Sequence, residues 1–374
     1  MARHSTATGQ SVLSNLVSLF LLVVVSALFC ATIIVLSRPL FIRFDHIDHP
    51  GGRKRHLSGT PLSGGIAIIT TVWVVGGLSA WSFEFAGFIF GMSILAILGL
   101  IDDRRHVPAV IRLGGQTLAV AIGMCALAAL KLETLGSLFT PHALDLGGWS
   151  VAFTVFASVG IINAINMIDG VDGIAGGFSL LLLVVIFLVA APASAVDCRI
   201  LSVVIGGLIG FLFFNLRAPW RKKARIFLGD AGSLMLGYAL VWFVVDASQG
   251  VRRAIAPVTA VWLMGLPLCD TTYLMLSRAL RGRNPMAADR SHYHHLLLRL
   301  GLSPGKACMA WLASAAMFML FGLTLDYCDV PEYIATYTFM AVFVLFCLVV
   351  MRAWQWLLVG RRAKMLRRSK HARR

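Results

Sequence analysis

Two adjacent carboxylates, Asp102 and Asp103, are followed at once by Arg104, Arg105 and His106, with Arg112 and Gln116 a short way on. Neighbouring carboxylates repel, so keeping both ionised calls for a cation or a guanidinium beside them. A magnesium-linked role fits, as does one base next to one ligand; a solvated helix cap paired with Arg104 and Arg105 is the plainer alternative. A second cluster is Asn163, Asn166, Asp169 and Asp172, in the stretch Asn163-Ala-Ile-Asn166-Met-Ile-Asp169-Gly-Val-Asp172-Gly. The first three are spaced by three, so a helix end puts them on one face. Gly170 then breaks the helix, leaving an amide and carboxylate edge able to hydrogen-bond a base or ribose. In Arg225-Ile-Phe227-Leu-Gly-Asp230-Ala-Gly-Ser233, two glycines flank Asp230. An N-cap would explain Asp230 alone; a magnesium ligand beside a stacking aromatic, Phe227, explains the pair.

Two further segments carry cations. Asp48-His-Pro-Gly-Gly-Arg-Lys-Arg-His56 joins glycines, whose N–H groups can face an anion, to basic residues suited to phosphate. Asp289-Arg290-Ser-His292-Tyr-His294-His295 packs three histidines into four residues. Zinc would want wider helical spacing or cysteines. Flanked by arginines, His292, His294 and His295 suit a pyrophosphate better, and a pH-sensitive structural loop stays open. Taken together, short acidic side chains among Lys, Arg and His point to a divalent cation and a phosphorylated ligand.

The elements that must position these groups are apolar. Of 374 residues, 58% are hydrophobic and 13% charged, more apolar side chain than a soluble domain can hide. About eleven windows reach spanning length: 11–36, 62–82, 85–101, 114–131, 150–166, 178–196, 200–216, 231–246, 254–277, 307–325 and 334–357. The reading is an all-α integral membrane protein, one polytopic catalytic domain over 1–360 and a basic tail over 361–374. No small-residue cleavage site follows the first span, so it reads as retained. With the N-terminus outside, one face holds only Arg3, Lys131, Arg199, Arg252 and Arg253 of the 33 Lys and Arg residues. The rest face the other way, which marks that side as cytoplasmic. A net charge of +16 is thereby explained as topology and affinity for anionic membrane lipid, not as nucleic-acid binding. Seven single cysteines form no paired framework. Every motif above falls on the cytoplasmic side, at span ends, where ionisable groups mark a functional site.

Six stretches, DHPGGRKRH…PLSGG, GLIDDRR, NAINMIDGVDGIAGG, RIFLGDAGS, PLCD and DRSHYHHLL, run in order over about residues 39–306. In this the chain resembles the polyprenyl-phosphate N-acetylhexosamine-1-phosphate transferases. DRSHYHHLLLRLG is similar to the WecA-type branch, which uses N-acetylglucosamine, rather than to the muramoyl-pentapeptide branch.

The resemblance implies a bacterial inner-membrane enzyme that moves GlcNAc-1-phosphate from a UDP-N-acetylhexosamine to undecaprenyl phosphate. Its product would be the first lipid-linked sugar of a surface polysaccharide such as O-antigen. It implies magnesium, or manganese, on Asp230, and Asp102 and Asp103 as metal-linked or proton-accepting groups. It further implies Asn163, Asn166, Asp169, Asp172 and Phe227 against the nucleotide, and His56, Arg290, His292, His294 and His295 near the phosphates or sugar. The same chemistry on QuiNAc, FucNAc or MurNAc-pentapeptide donors is the alternative within the class; a secondary transporter would need repeats and midplane charges that the sequence lacks. A homodimer is compatible with the apolar helix faces, though nothing in the sequence specifies one.

Overall fold

The chain is helical almost throughout. The computed structural model describes residues 2–48, 59–190, 197–217, 221, 223–251, 253–284 and 291–371, with side chains from residue 14 to 357 within those ranges. His56 and Arg290 lie outside the described residues.

In chain order the helices are α1 (Ala2–Arg43), α2 (Gly64–Thr71), α3 (Gly77–Ser79), α4 (Phe83–Arg104), α5 (Ala109–Leu118), α6 (Ser150–Ile168) and α7 (Ile174–Ala190). They continue with α8 (Cys198–Asn215), α9 (Gly229–Ser248), α10 (Pro257–Leu263), α11 (Gly265–Ala279), α12 (Tyr293–Arg299), α13 (Pro304–Tyr327) and α14 (Glu332–His371). A wider π-helical turn, Val72–Gly76, joins α2 to α3, and Ala119–Leu127 extends α5 in the same way. The basic residues after 360 continue α14 as far as His371. Two short strands, β1 (Ile47–Asp48) and β2 (Thr60–Pro61), pair antiparallel with Ile47 opposite Pro61.

Local chemistry sets many of the ends. The Ser82 side chain accepts the Phe85 N–H at 3.0 Å and starts α4. Asp197 accepts from Arg199 and Ile200 and starts α8. Pro257 and Pro304 occupy first-turn positions, where the missing N–H costs nothing.

Eight helices among the described residues are long and apolar enough to cross a membrane, and α10 with α11 makes a ninth if the bent pair is one span. The two shorter apolar helices, Gly64–Ser79 and Ile174–Ala190, coincide with the remaining two windows of the sequence. The 74° bend between α10 and α11 has an evident cause. Pro267 removes the N–H that would bond Leu263, and its ring crowds that carbonyl.

The most apolar stretch of α9 is 94% buried, against 17% for α1 and α14, so α9 is the axis and the other two face lipid. It packs on α2, α4, α6 and α7. Small residues permit this closeness, as they do between helices in lipid. A Cβ on Gly99 would sit 2.2 Å from the Ala231 nitrogen, and one on Gly237 would sit 2.7 Å from the Ile162 Cα. The N-terminus of α9 is thereby held against the ends of α4 and α6.

Candidate active site

Four helices bring their polar ends together here. Asp102 and Asp103 close the last turn of α4 and point to different partners. Asp102 is buried: its Oδ1 accepts the Val107 N–H at 2.8 Å. Its Oδ2 lies 3.0 Å from Arg112 Nη1 on α5, an ion pair whose angles fall short of a hydrogen bond. Asp103 reaches across to α9, where its carboxylate accepts the N–H of Asp230 at 2.8 Å and of Ala231 at 3.4 Å. Gly229 opens α9 with φ +74°, and a Cβ there would stand 2.7 Å from Asp103 Oδ2. The glycine is required twice, for its backbone and for the space the carboxylate fills.

Asn166, near the end of α6, links the two halves. Its Nδ2 donates to Asp230 Oδ1 at 2.8 Å and to Ser233 Oγ at 2.9 Å. Its Oδ1 accepts from Arg112 at 3.3 Å. The sequence Asp102, Arg112, Asn166, Asp230, Asp103 is thus one connected network. Asn163, a turn earlier, exchanges amide hydrogen bonds with Gln116, which is fully buried. It locks α6 to α5 and is spent on that contact.

The turn after α6 gathers the remaining motifs. Asp169 caps the helix. Asp172 pairs with Arg217 Nε at 2.7 Å. The Gly173 N–H donates to Asn215 Oδ1, and Asn215 Nδ2 donates to the Ile226 carbonyl, next to Phe227. The Phe227 N–H donates to the Pro61 carbonyl, and its own carbonyl accepts from Gly64. Asp172 and Phe227 line one cavity of about 230 Å³ with Arg38, Arg217, Lys223 and Arg225.

Asp270 on α11 holds the histidine segment. Fully buried, it takes His292 Nδ1 at 2.9 Å on one oxygen and the Tyr293 N–H at 2.9 Å on the other. His292 and His294 stack in parallel, 5.4 Å apart. His294 is buried, and neither ring nitrogen has a hydrogen-bond partner among the described residues. Burial, then the neighbouring His295 and His292, hold it well below the usual histidine range, so it is neutral near pH 7. A Cβ on Gly170 would lie 2.5 Å from His294 Nε2. The histidine segment therefore seats on the same turn as Asp169 and Asp172.

Arg217, Lys223, Asn215 and Asp270 are the members the residue-by-residue reading did not assign to the site. Asn215, a lone amide ending an apolar helix, and Asp270, an acid just inside a span, were the available signals. A cavity of about 900 Å³ around Arg253, Asp326 and Glu332 lies beyond the other end of α9 and shares none of these groups.

No three His, Cys, Asp or Glu side chains stand together as a ready metal cage among the described residues. The donor set nevertheless suits magnesium, a hard cation that takes one or two carboxylates and completes its shell with water and substrate phosphate. Asp230 on α9 and Asp103 on α4 provide two carboxylates, brought together where the Asp230 N–H donates to Asp103 Oδ1 at 2.8 Å.

Residues 85–248 match Glycosyl transferase family 4. The chain is 32% identical over 349 residues to the undecaprenyl-phosphate alpha-N-acetylglucosaminyl 1-phosphate transferase of Salmonella typhi, covering 92% of each. To the protein of the same name from Escherichia coli (strain K12) it is 30% identical over 351 residues, again 92% of each. To that of Haemophilus influenzae it is 31% identical over 347 residues, 90% of this chain and 96% of the relative.

Proposed function

Since the chain belongs to Glycosyl transferase family 4, beside the undecaprenyl-phosphate alpha-N-acetylglucosaminyl 1-phosphate transferases, we propose that it transfers GlcNAc-1-phosphate from UDP-GlcNAc to undecaprenyl phosphate. A phosphate oxygen of the lipid attacks the β-phosphorus of the donor. The bond to the UMP oxygen breaks, UMP leaves, and the product is undecaprenyl diphospho-GlcNAc. In phosphoryl transfer the protein's part is positioning and charge neutralisation. The observation that carries the reading is the single network joining Asp102, Asp103, Asn166 and Asp230 across four helices.

Asp230 would hold magnesium with Asp103 beside it, and the ion would offset charge on the phosphoryl oxygens. Asn166 keeps the Asp230 carboxylate aimed. Asp102, its oxygens occupied by Val107 and Arg112, is a positioning residue, which leaves Asp103 as the carboxylate nearer the reacting phosphates. The basic cavity offers cations for a diphosphate, Phe227 for stacking and Asp172 for a base or ribose edge. Neutral His294 has one donor and one acceptor to give a sugar hydroxyl or phosphate. The Lys and Arg bias supports a site on the cytoplasmic face of a bacterial inner membrane, where a soluble donor meets an embedded acceptor.

Purified protein given UDP-GlcNAc, undecaprenyl phosphate and magnesium should release UMP in step with labelled lipid. UDP-QuiNAc, UDP-FucNAc and UDP-MurNAc-pentapeptide should be poorer donors. Labelled lipid from one of these alone would shift the sugar assignment, and no UMP from any of them would end the transferase reading.

A further inference from the structure

A groove of about 690 Å³ runs between the ends of α1 and α4, outside the network above. Its walls are Leu40, Phe41, Phe44, Ile66, Leu100 and Ile101, and its end is basic, with Arg104, Arg105 and His46. On α4, at about 100° per residue, Leu100, Ile101 and Arg104 share one face, while Asp102, Asp103 and Gly99 lie on the opposite one. The second face is pressed on α9, where Gly99 meets Ala231. The groove is therefore separated from the carboxylates by the helix itself.

His46 marks the end of the groove as built. Its N–H donates to the Phe41 carbonyl and its carbonyl accepts from Leu62, so the backbone is fixed. Arg104 Nε donates to His46 Nδ1 at 3.1 Å. Burial first, and the Arg104 charge second, hold the imidazole below its usual range, so the neutral ring carries its proton on Nε2. That nitrogen is buried, in a side chain 5% exposed, and has no partner among the described residues. An orphaned buried donor costs free energy unless something accepts from it.

We propose that this groove binds an anionic glycerophospholipid of the inner leaflet, its acyl chain along Leu40, Phe44, Leu100 and Ile101 and its phosphate against Arg104, Arg105 and His46. The charge is complementary, and the walls suit a chain rather than a soluble anion. The opposed faces of α4 separate this lipid from the acceptor, whose phosphate must reach the carboxylate side. Bound there, it braces the last turn of α4, the turn that carries Asp102 and Asp103.

The test reads lipid retention on the full-length protein by native mass spectrometry, without donor or acceptor, so it stands or falls apart from the transferase reading. Phosphatidylglycerol should be retained in preference to phosphatidylcholine. A double Arg104→Gln, Arg105→Gln variant should weaken that retention about thirtyfold, the loss expected for two arginines at a membrane surface. Ile101→Trp, which fills the groove and keeps both charges, should abolish it, and carries the test if the double variant fails to fold. Wild-type retention of phosphatidylglycerol by either folded variant would overturn the proposal. So would a raised KM for undecaprenyl phosphate in the double variant with phosphatidylglycerol retention unchanged, because the groove would then belong to the acceptor.

Discussion

Asp102 and Asp103 are consecutive, yet they do different work. Asp102 is committed to Arg112 and Val107, whereas Asp103 caps α9 with its carboxylate beside Asp230. Asparagine keeps one acceptor oxygen for the Asp230 N–H and gives up only the longer contact with Ala231, so Asp103→Asn should cost about 1 kcal/mol of stability. The same change removes a charge from the site and should lower kcat about a hundredfold or more. Asp102→Asn strips the charged partner from Arg112, which is only partly exposed and keeps just its hydrogen bond to Asn166, and should cost on the order of 2 kcal/mol. Thermal unfolding alongside kcat separates the two: a stability loss confined to Asp103→Asn would reverse these roles. This division was not legible in the sequence. Spacing along a helix says that adjacent side chains diverge, but not which neighbour each one meets.

The helical segments were legible because continuous apolar runs have no other reading at this length, and each of the eleven windows corresponds to an apolar helical segment. What composition alone missed lies at breaks. The bend at Pro267 passed unnoticed inside one apolar run, and Asn163, on the same face as Asn166, turned out to be locked to Gln116. The two glycines of the RIFLGDAGS stretch flank Asp230 in the sequence without saying why; Gly229 makes room for Asp103 and supplies the positive φ that opens α9. Gly229→Ala should therefore push the Asp103 carboxylate off its cap and lose most turnover, at a stability cost of about 1–2 kcal/mol for the backbone strain. Gly114→Ala on α5, where an added Cβ meets nothing within 4 Å, is the control and should leave turnover unchanged. Equal activity in both variants would show that the α9 entry does not set the site.

At the scale of the whole molecule, a lipid-embedded bundle collects acids, amides and histidines from α4, α6, α9, α11 and the connecting turns at one end of a single buried helix. The expectation that the motifs share a face rests on each standing at the Lys- and Arg-rich end of a span. The sequence could not foretell the hub, the end of α6, since contacts between helices are written in shape rather than in period. In the proposed function, that hub is where a soluble donor and an embedded acceptor would meet. Asp230 sits where α4, α6 and α9 meet, so its carboxylate tests the convergence most directly. The decisive measurement is incorporation of label from UDP-GlcNAc into undecaprenyl diphospho-sugar by purified Asp230→Asn protein with wild-type thermal stability, at saturating magnesium. The expected result is loss of incorporation to background; turnover near that of the wild type would contradict the account.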